Sequence, residues 1–244
     1  MSQSLKKGID TLFFLASRKS VGVTELAEAL SVNKSTAFRI LNTFLQADIV
    51  EQNKITQKYK LGPAVLRLSQ QYYKNFSIIE AANPVMESLA MDIRESIHLC
   101  ALANNSAVVI KQVLSDSRIV VRAKVGSREP LHCSSVGKCL LAFSAKEKQD
   151  KMLGALDFEV FTENTIRNRE RLLVEIEKIR AAGFALDNQE VSPDIICVAV
   201  PIWDETGVCV FSLGTSGTVS RMTEEKINKI VPLLINAAIR IEAR

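Results

Sequence analysis

Four side chains that can bind nucleic acid follow Asn33 closely in the sequence: Lys34, Ser35, Thr36 and Arg39. Cationic and hydroxyl side chains of this kind hydrogen-bond phosphate oxygens and base edges when a helix enters the major groove of DNA. The apolar residues interleaved with them recur at i, i+3, i+4 and i+7, which is the spacing of one buried helical face. These residues are Ala37, Ile40, Leu41 and Phe44. We therefore predict a helix that starts with Asn33 as its N-cap and exposes the polar side chains.

The segments before this helix predict the elements that position it. Residues 23–46, with the sequence VTELAEALSVNKSTAFRILNTFLQ, have the pattern of two short amphipathic helices joined by a polar turn. A further helix is predicted over about residues 6–17, and the same helical spacing assigns its buried face to Ile9, Leu12, Phe13 and Ala16. Three such helices close a small core, so the pattern predicts a helix-turn-helix DNA-binding domain.

A basic hairpin is predicted directly after these helices. Residues 49–52 and 58–61 have the pattern of two short strands. Lys58 and Lys60 alternate with apolar residues, which places both cations on one face of the second strand. The combination is typical of a winged helix, and we expect both lysines to lie near the DNA backbone.

Charge is distributed unevenly along the chain. Residues 1–75 contain 11 Lys and Arg against 5 Asp and Glu, whereas residues 76–244 contain 20 against 22. All of the excess positive charge therefore belongs to the predicted helix-turn-helix segment. This distribution favours double-stranded DNA as its partner.

Composition excludes several other classes of protein. No apolar run approaches the roughly 20 residues that span a bilayer, and the first residues, MSQSLKKGID, lack the apolar core of a secretory signal. The five cysteines show no paired spacing and indicate reduced thiols rather than disulfides. We expect a cytoplasmic protein with no membrane partner.

Residue types that bind zinc occur at His132 and Cys133, together with His98 or Cys100. No C-x-x-C or H-x-x-x-H spacing organises them. We therefore expect no metal at these residues. We also expect no cofactor and no catalytic residues in this chain.

The remainder of the chain predicts an α+β domain. A helix over residues 78–93 precedes strand-like runs at 97–103, 107–113 and 119–125, and a loop is predicted at 126–130. The elements predicted further along are helices containing residues 137–143 and 167–182, a hairpin formed by 197–201 and 208–215, and a last helix from about residue 223. Because strands and helices do not alternate strictly, we expect an antiparallel sheet flanked by helices.

Several separated motifs occur together and in one order. They are TELAEAL and NKSTAFRILNTFL, KYKLGPAVLRLS, LHCSSVGKCLLAF, GFALDNQEVSPDIICVAVPIWDETG, and FSLGTSG. With them, nearly the whole chain resembles the IclR-type transcriptional regulators. The resemblance implies a winged helix over residues 1–62, a linker helix over 63–76, and a ligand-sensing and oligomerisation domain over 77–244. It further implies a GAF-like or profilin-like sheet, a small organic-acid effector, and dimers paired through the amino-terminal region that often form tetramers.

The resemblance also implies which residues contact the effector. They are Ser135, Val136, Asp187, Cys197, Gly214 and Ser216. Backbone N–H groups at a helix start suit a carboxylate, which fits Ser135 and Val136. Family members often carry a hydroxyl residue where this chain has Gly214, so we expect a roomier pocket with one hydrogen bond fewer.

Local chemistry leaves alternatives for these residues. Ser134 or Ser135 can cap a helix, Asp187 can be a turn residue, and Cys197 can be a small core residue.

The expected function is a homo-oligomeric regulator whose affinity for operator DNA depends on a bound acid. Two alternatives remain at this point: a metabolite-converting enzyme joined to a DNA-binding domain, and a nucleic-acid-binding protein whose second domain only oligomerises.

Overall fold

The computed structural model describes residues 2–74 and 77–242. It divides into two compact units, with the boundary between residues 76 and 77. No helix in the described ranges is long and apolar enough to cross a membrane.

The amino-terminal unit is a three-helix core followed by a two-stranded antiparallel sheet and a further helix. Its elements are α1 (Gln3–Ala16), α2 (Val23–Ala29), α3 (Lys34–Gln46), β1 (Val50–Gln52), β2 (Tyr59–Leu61) and α4 (Ala64–Lys74). Leu15, Leu26 and Leu41 from the three helices pack in one buried cluster with Tyr59 of β2. The winged helix-turn-helix is therefore confirmed. The linker was predicted over 63–76, of which residues 75 and 76 lie outside the described residues.

The buried face of α1 differs from the predicted one. Ile9 is 46% exposed and Phe13 is 68% exposed, whereas the buried residues are Gly8, Thr11 and Leu15. Gly8 allows a close approach to α3, since a Cβ at this position would lie 3.3 Å from Phe44 Cζ. Thr11 is buried at little cost because its hydroxyl donates to Lys7 O at 2.7 Å. Of the four residues predicted to be buried, Leu12 is half-buried, whereas Ile9, Phe13 and Ala16 are exposed.

The carboxy-terminal unit is a six-stranded antiparallel sheet with helices on both faces. Its helices are α5 (Ser77–Ile93), α6 (Ser135–Ala142), α7 (Lys146–Gly154), α8 (Arg169–Ala182) and α9 (Glu224–Glu242). Its strands are β3 (Ser96–Ala103), β4 (Ser106–Val113), β5 (Arg128–Pro130), β6 (Ala185–Asn188), β7 (Ile195–Trp203) and β8 (Cys209–Thr218). The strand order is β5-β4-β3-β8-β7-β6. The predicted α+β class with an antiparallel sheet is confirmed.

Two glycines of β8 identify which helices cover each face of the sheet. Gly214 and Gly217 are three residues apart, so they face opposite sides. A Cβ at Gly214 would contact Val136 of α6, whereas a Cβ at Gly217 would contact Met222, which lies two residues before the start of α9. Helix α6 therefore covers one face and α9 the other. The core on the first face also includes residues of α7 and α8.

The strand predicted at residues 119–125 is wrong, as is the loop predicted at 126–130. The edge of β4 that faces away from β3 pairs with β5 instead. The pairing extends to a hydrogen bond from Gly126 N to Val109 O at 2.7 Å. Gly126 has a φ of +88°, which turns the chain at this point. Residues 119–125 consequently form an irregular segment, and the sequence prediction also missed α7 and β6.

Several helix ends carry a capping residue or a glycine, and the cap of α3 is the predicted one. Asn33 caps α3 through a 2.8 Å bond from Thr36 N to its Oδ1. Gly183 ends α8 with a φ of +78°. At the start of α9, Lys226 N donates to Thr223 Oγ1 at 3.3 Å.

We expect Gly137→Ala to lower the free energy of unfolding of the carboxy-terminal unit by about 1–3 kcal/mol or more. The added Cβ would overlap Pro130 O and lie 2.8 Å from Leu131 Cα. Gly154→Ala is the matched control, because its Cβ would meet no heavy atom within 4 Å. Urea unfolding followed by circular dichroism compares them, and equal stability of the two variants would contradict the packing described.

Candidate functional site

The start of α3 is shaped by the Asn33 side chain. Its Oδ1 accepts hydrogen bonds from Thr36 N and from Ser35 Oγ, both at 2.8 Å. The cap orients the first turn, so that backbone N–H groups and the positive end of the helix dipole point outward. An anion such as a phosphate is favoured at this position.

The exposed face of α3 includes more residues than the sequence prediction assigned. Ser35, Phe38, Arg39 and Asn42 recur at helical spacing and are all exposed. Lys34 is exposed beside them, and Thr36 is half-buried at the other border. Phe38 and Asn42 were missed, although their positions opposite the buried stripe identify them.

The wing presents two lysines in different electrostatic settings. Lys58 and Lys60 are exposed, whereas Tyr59 between them is buried. Lys60 Nζ lies 2.6 Å from Glu51 Oε1 on the adjacent strand, so part of its charge is compensated within the wing. Among the described residues, no ion pair is formed by Lys58.

In the carboxy-terminal unit, a cavity of about 150 Å³ lies between the sheet and the start of α6. Asp187, Cys197 and Ser216 are paired across β6, β7 and β8 and line one side of it. Ser216 Oγ donates to Cys197 Sγ at 3.0 Å. Ser135 and Val136 line it from α6, so five of the six predicted effector residues lie around one cavity.

The structure at the start of α6 shows which of the two serines caps the helix. Ser134 is the cap, since its Oγ accepts from Gly137 N at 3.1 Å and donates to Pro130 O at 2.6 Å. Within the described ranges, no acceptor is bonded to the N–H groups of Ser135 or Val136. These two donors are therefore available to an anion in the cavity.

Gly214 does not enlarge the cavity, contrary to the expectation. Its strand partner is His98 of β3. A Cβ at Gly214 would lie 2.5 Å from His98 Nε2 and 2.9 Å from Val136 Cγ1. The imidazole therefore occupies the space that a side chain at position 214 would fill, and His98 itself lines the cavity.

The charged groups around the cavity have unusual protonation properties. Burial raises the pKa of the Asp187 carboxyl to about 6, even though its Oδ1 accepts a 2.7 Å bond from Glu190 N. Burial also raises the pKa of Glu129 and lowers the pKa of His98 to about 4. Arg122 is the only cation among the described residues that line the cavity. Carboxyls that protonate readily, one cation and two unpaired amides together suit a small anion.

A buried ion pair fixes the loop that follows Asp187. Lys138 of α6 is 0% exposed and binds Glu190, with Glu175 of α8 at 3.6 Å. The Glu190 carbonyl also accepts from Thr165 Oγ1 at 2.6 Å. The position of Asp187 thus depends on α6 as well as on its own strand.

The residues considered for zinc are not brought together. His132 makes an edge-on contact with Phe158 and stacks on Phe161, and its Nε2 lies 2.9 Å from Glu159 O. In the part of the chain that the structure describes, no three His, Cys, Asp or Glu side chains are grouped as metal ligands.

Family profiles match both units of the chain. The IclR helix-turn-helix domain matches residues 4–54, and the profile "Bacterial transcriptional regulator IclR C-terminal" matches residues 70–243.

The chain belongs to the IclR family. Two curated IclR-type relatives from Escherichia coli K12 are each 31% identical to it. The transcriptional regulator KdgR aligns over 99% of this chain and 92% of its own, and the transcriptional repressor AllR over 92% and 83%. The crystal structure of Thermotoga maritima IclR is 29% identical, covers 98% of this chain and 97% of its own, and superposes with a TM-score of 0.79.

Membership of the IclR family makes the chain a DNA-binding transcriptional regulator. The named relatives are themselves regulators. The family's two domains correspond to the surfaces described above, with α3 in the helix-turn-helix profile and the cavity in the carboxy-terminal one.

Sequence reasoning missed several residues of the cavity in this IclR-family chain. His98 was considered only as a zinc ligand, and Glu129 lay in a segment predicted as a loop. Arg122 lay in the segment wrongly predicted as a strand. The imidazole of His98 within a mostly apolar strand is the signal that could have identified it.

We expect Lys138→Met to destabilise the carboxy-terminal unit by about 3–5 kcal/mol, because it leaves the Glu190 carboxyl buried without its cation. The double variant K138M/E190L should recover most of this loss, since it removes both buried charges. Urea unfolding measures each step.

Lys229→Met is the control for this ion pair, because Lys229 and Glu225 form an exposed pair whose loss should cost less than about 1 kcal/mol. An effect of Lys138→Met no larger than that of Lys229→Met would contradict the structural role of the buried pair.

Proposed function

We propose that this regulator inserts α3 into the major groove of operator DNA and changes its operator affinity when a small organic acid binds in the cavity beside α6. The observation that carries the proposal is the pairing of an exposed, cationic helix face with a separate anion-accepting cavity in one chain. The coupling requires that the acid bind one arrangement of the regulator better than another.

The DNA contacts follow from the exposed face of α3. Arg39 and Asn42 near its centre have the chemistry to bind guanine and adenine edges, and Phe38 can contact a thymine methyl group. Lys34, Ser35 and Thr36 near the capped start can bind phosphate. In the same proposal, Lys58 and Lys60 of the wing contact the phosphate backbone of the DNA. Lys60 contributes less to DNA affinity because Glu51 neutralises part of its charge.

A dimer is proposed because two recognition helices read two half-sites, about 34–36 Å apart, on a palindromic operator. The exposed apolar face of α1, formed by Leu5, Ile9 and Phe13, supports pairing of two chains there. Tetramers are an extension of the same proposal.

Arg39→Ala should weaken binding to the regulator's own promoter region by about 1–3 kcal/mol if the guanidinium contacts a base pair bidentately. Because Arg39 is exposed and Lys178 of α8 is exposed in the other unit, Lys178→Ala is a charge-matched control. Fluorescence anisotropy against specific and random duplexes at two salt concentrations separates base contacts from phosphate contacts. Equal dissociation constants for wild type and Arg39→Ala would count against this role of α3.

The effector is proposed to be a short carboxylic acid. The amides of Ser135 and Val136 and the cation of Arg122 supply the groups that bind its carboxylate. A volume of about 150 Å³ is that of a cavity which holds one benzene molecule, so about six non-hydrogen atoms fit. Larger ligands bind in cavities of roughly 300–1,000 Å³.

We expect the affinity for such an acid to rise as the pH falls from 8 to 6. Asp187 has a pKa of about 6, so it is ionised and repels an anion at pH 8 but takes up a proton near pH 6. Binding should therefore consume a proton, with at most a tenfold change per pH unit. Asp187→Asn should bind with much weaker pH dependence.

A thermal-shift screen of two- to five-carbon acids identifies the ligands. Calorimetry in buffers of different ionisation enthalpy then measures their affinity and the number of protons taken up on binding. At a hundredfold excess over its dissociation constant, an effector stabilises the fold by about 2.7 kcal/mol. An unchanged pH profile in Asp187→Asn would overturn the role given to this carboxyl.

A further inference from the structure

The space beside Gly214 is occupied by the side chain of a residue on the neighbouring strand. His98 and Gly214 are register partners on β3 and β8. A Cβ on residue 214 would lie 2.5 Å from His98 Nε2 and 3.1 Å from His98 Cδ2. Those separations are too short for real side chains, so a side chain at position 214 would displace the His98 imidazole from this position.

The imidazole is buried but incompletely bonded. His98 is 4% exposed, and its Nδ1 has no hydrogen-bond partner among the described residues. Leaving a buried polar atom unpaired costs about 1–3 kcal/mol, so such atoms call for an explanation, and a ligand is one. His98 lines the cavity, which provides the place for that ligand.

The remaining groups of the cavity limit what His98 can bind. Burial lowers the pKa of His98 to about 4, so the ring is uncharged at neutral pH and does not supply a charge for a carboxylate. Arg122 and the amides at the start of α6 serve that purpose better. A neutral imidazole nitrogen donates or accepts one hydrogen bond, which suits an uncharged oxygen. Glu129, Asp187 and Cys197 are the other titratable groups that line the cavity with His98 and Arg122.

We propose that His98 determines effector specificity: its imidazole hydrogen-bonds the hydroxyl or oxo oxygen of a 2-hydroxy or 2-oxo acid, and its ring limits the length of that acid. This inference rests on the proposed function, because it presumes that the cavity binds an acid. In this proposal His98 on β3 makes the hydrogen bond to the effector that a hydroxyl side chain at position 214 on β8 would otherwise make.

The first test compares acids of equal size that differ in the uncharged oxygen. Lactate and pyruvate are compared with isobutyrate, which replaces that oxygen by a methyl group. We expect the wild-type chain to bind lactate or pyruvate at least tenfold more tightly than isobutyrate. His98→Leu, which keeps the volume but removes both nitrogens, should reduce this preference to less than threefold. His98→Asn keeps a polar atom near the position of Nδ1 and should retain most of it.

The second test concerns size. His98→Ala removes the ring, so it should bind the longer acid 4-methyl-2-oxopentanoate at least tenfold more tightly than the wild type does. Gly214→Ser forces a side chain against the imidazole and should weaken pyruvate binding at least tenfold. Retained binding to the promoter duplex and cooperative thermal unfolding show that each variant is folded.

The outcomes separate the two proposals. Binding of these acids with an unchanged preference in His98→Leu overturns the role of His98 but leaves an acid-binding cavity. Binding of none of these acids by the wild-type chain overturns the role of His98, and binding of no acid in the screen of two- to five-carbon acids overturns both proposals. Equal affinity of wild type and His98→Ala for 4-methyl-2-oxopentanoate overturns the size limit.

Discussion

The start of α6 is held against the neighbouring backbone at a distance that only glycine permits. A Cβ on Gly137 would overlap the Pro130 carbonyl, so the helix and the end of β5 are in direct backbone contact. Ser134 strengthens the same contact by bonding Pro130 O and Gly137 N. The approach fixes where the free amides of Ser135 and Val136 meet the sheet. The cavity is the space that remains beside this contact. On its other side, the ion pair between Lys138 of α6 and Glu190 holds the loop after Asp187 against the same helix.

The predictable part of the fold was the part with one clear apolar stripe per element. On α3 the buried residues Ala37 and Leu41 match the periodic pattern, and the Asn33 cap agrees with it. On α1 two faces could be buried, and the prediction selected the face with Ile9 and Phe13 because it is more hydrophobic. The structure buries Gly8 and Thr11 instead, because close helix approach and an internally bonded hydroxyl compensate for low hydrophobicity. Local sequence carries no information about which partner helix approaches.

The site was predictable in a similarly uneven way. The resemblance to the family indicated Asp187, Cys197 and Ser216, and strand pairing explains how residues distant in sequence meet. The consequence of Gly214 was misjudged because its neighbour across the sheet, His98, follows from strand register and not from spacing. The same limitation affected residues 119–125: their β-like composition predicts a strand, but the edge of β4 pairs with β5.

The buried titratable groups of the carboxy-terminal unit oppose one another thermodynamically. His98 has a folded-state pKa below its usual value, so the unfolded chain binds the extra proton between about pH 4 and pH 6.5, and acidification through that window lowers stability. Asp187 and Glu190 have folded-state pKa values above their usual ones, so acidification from about pH 7 raises stability. These contributions offset each other in mildly acid conditions. Part of the effect of each change in protonation is therefore cancelled by the other, which allows the charge of the binding cavity to change across this range while the unit stays folded.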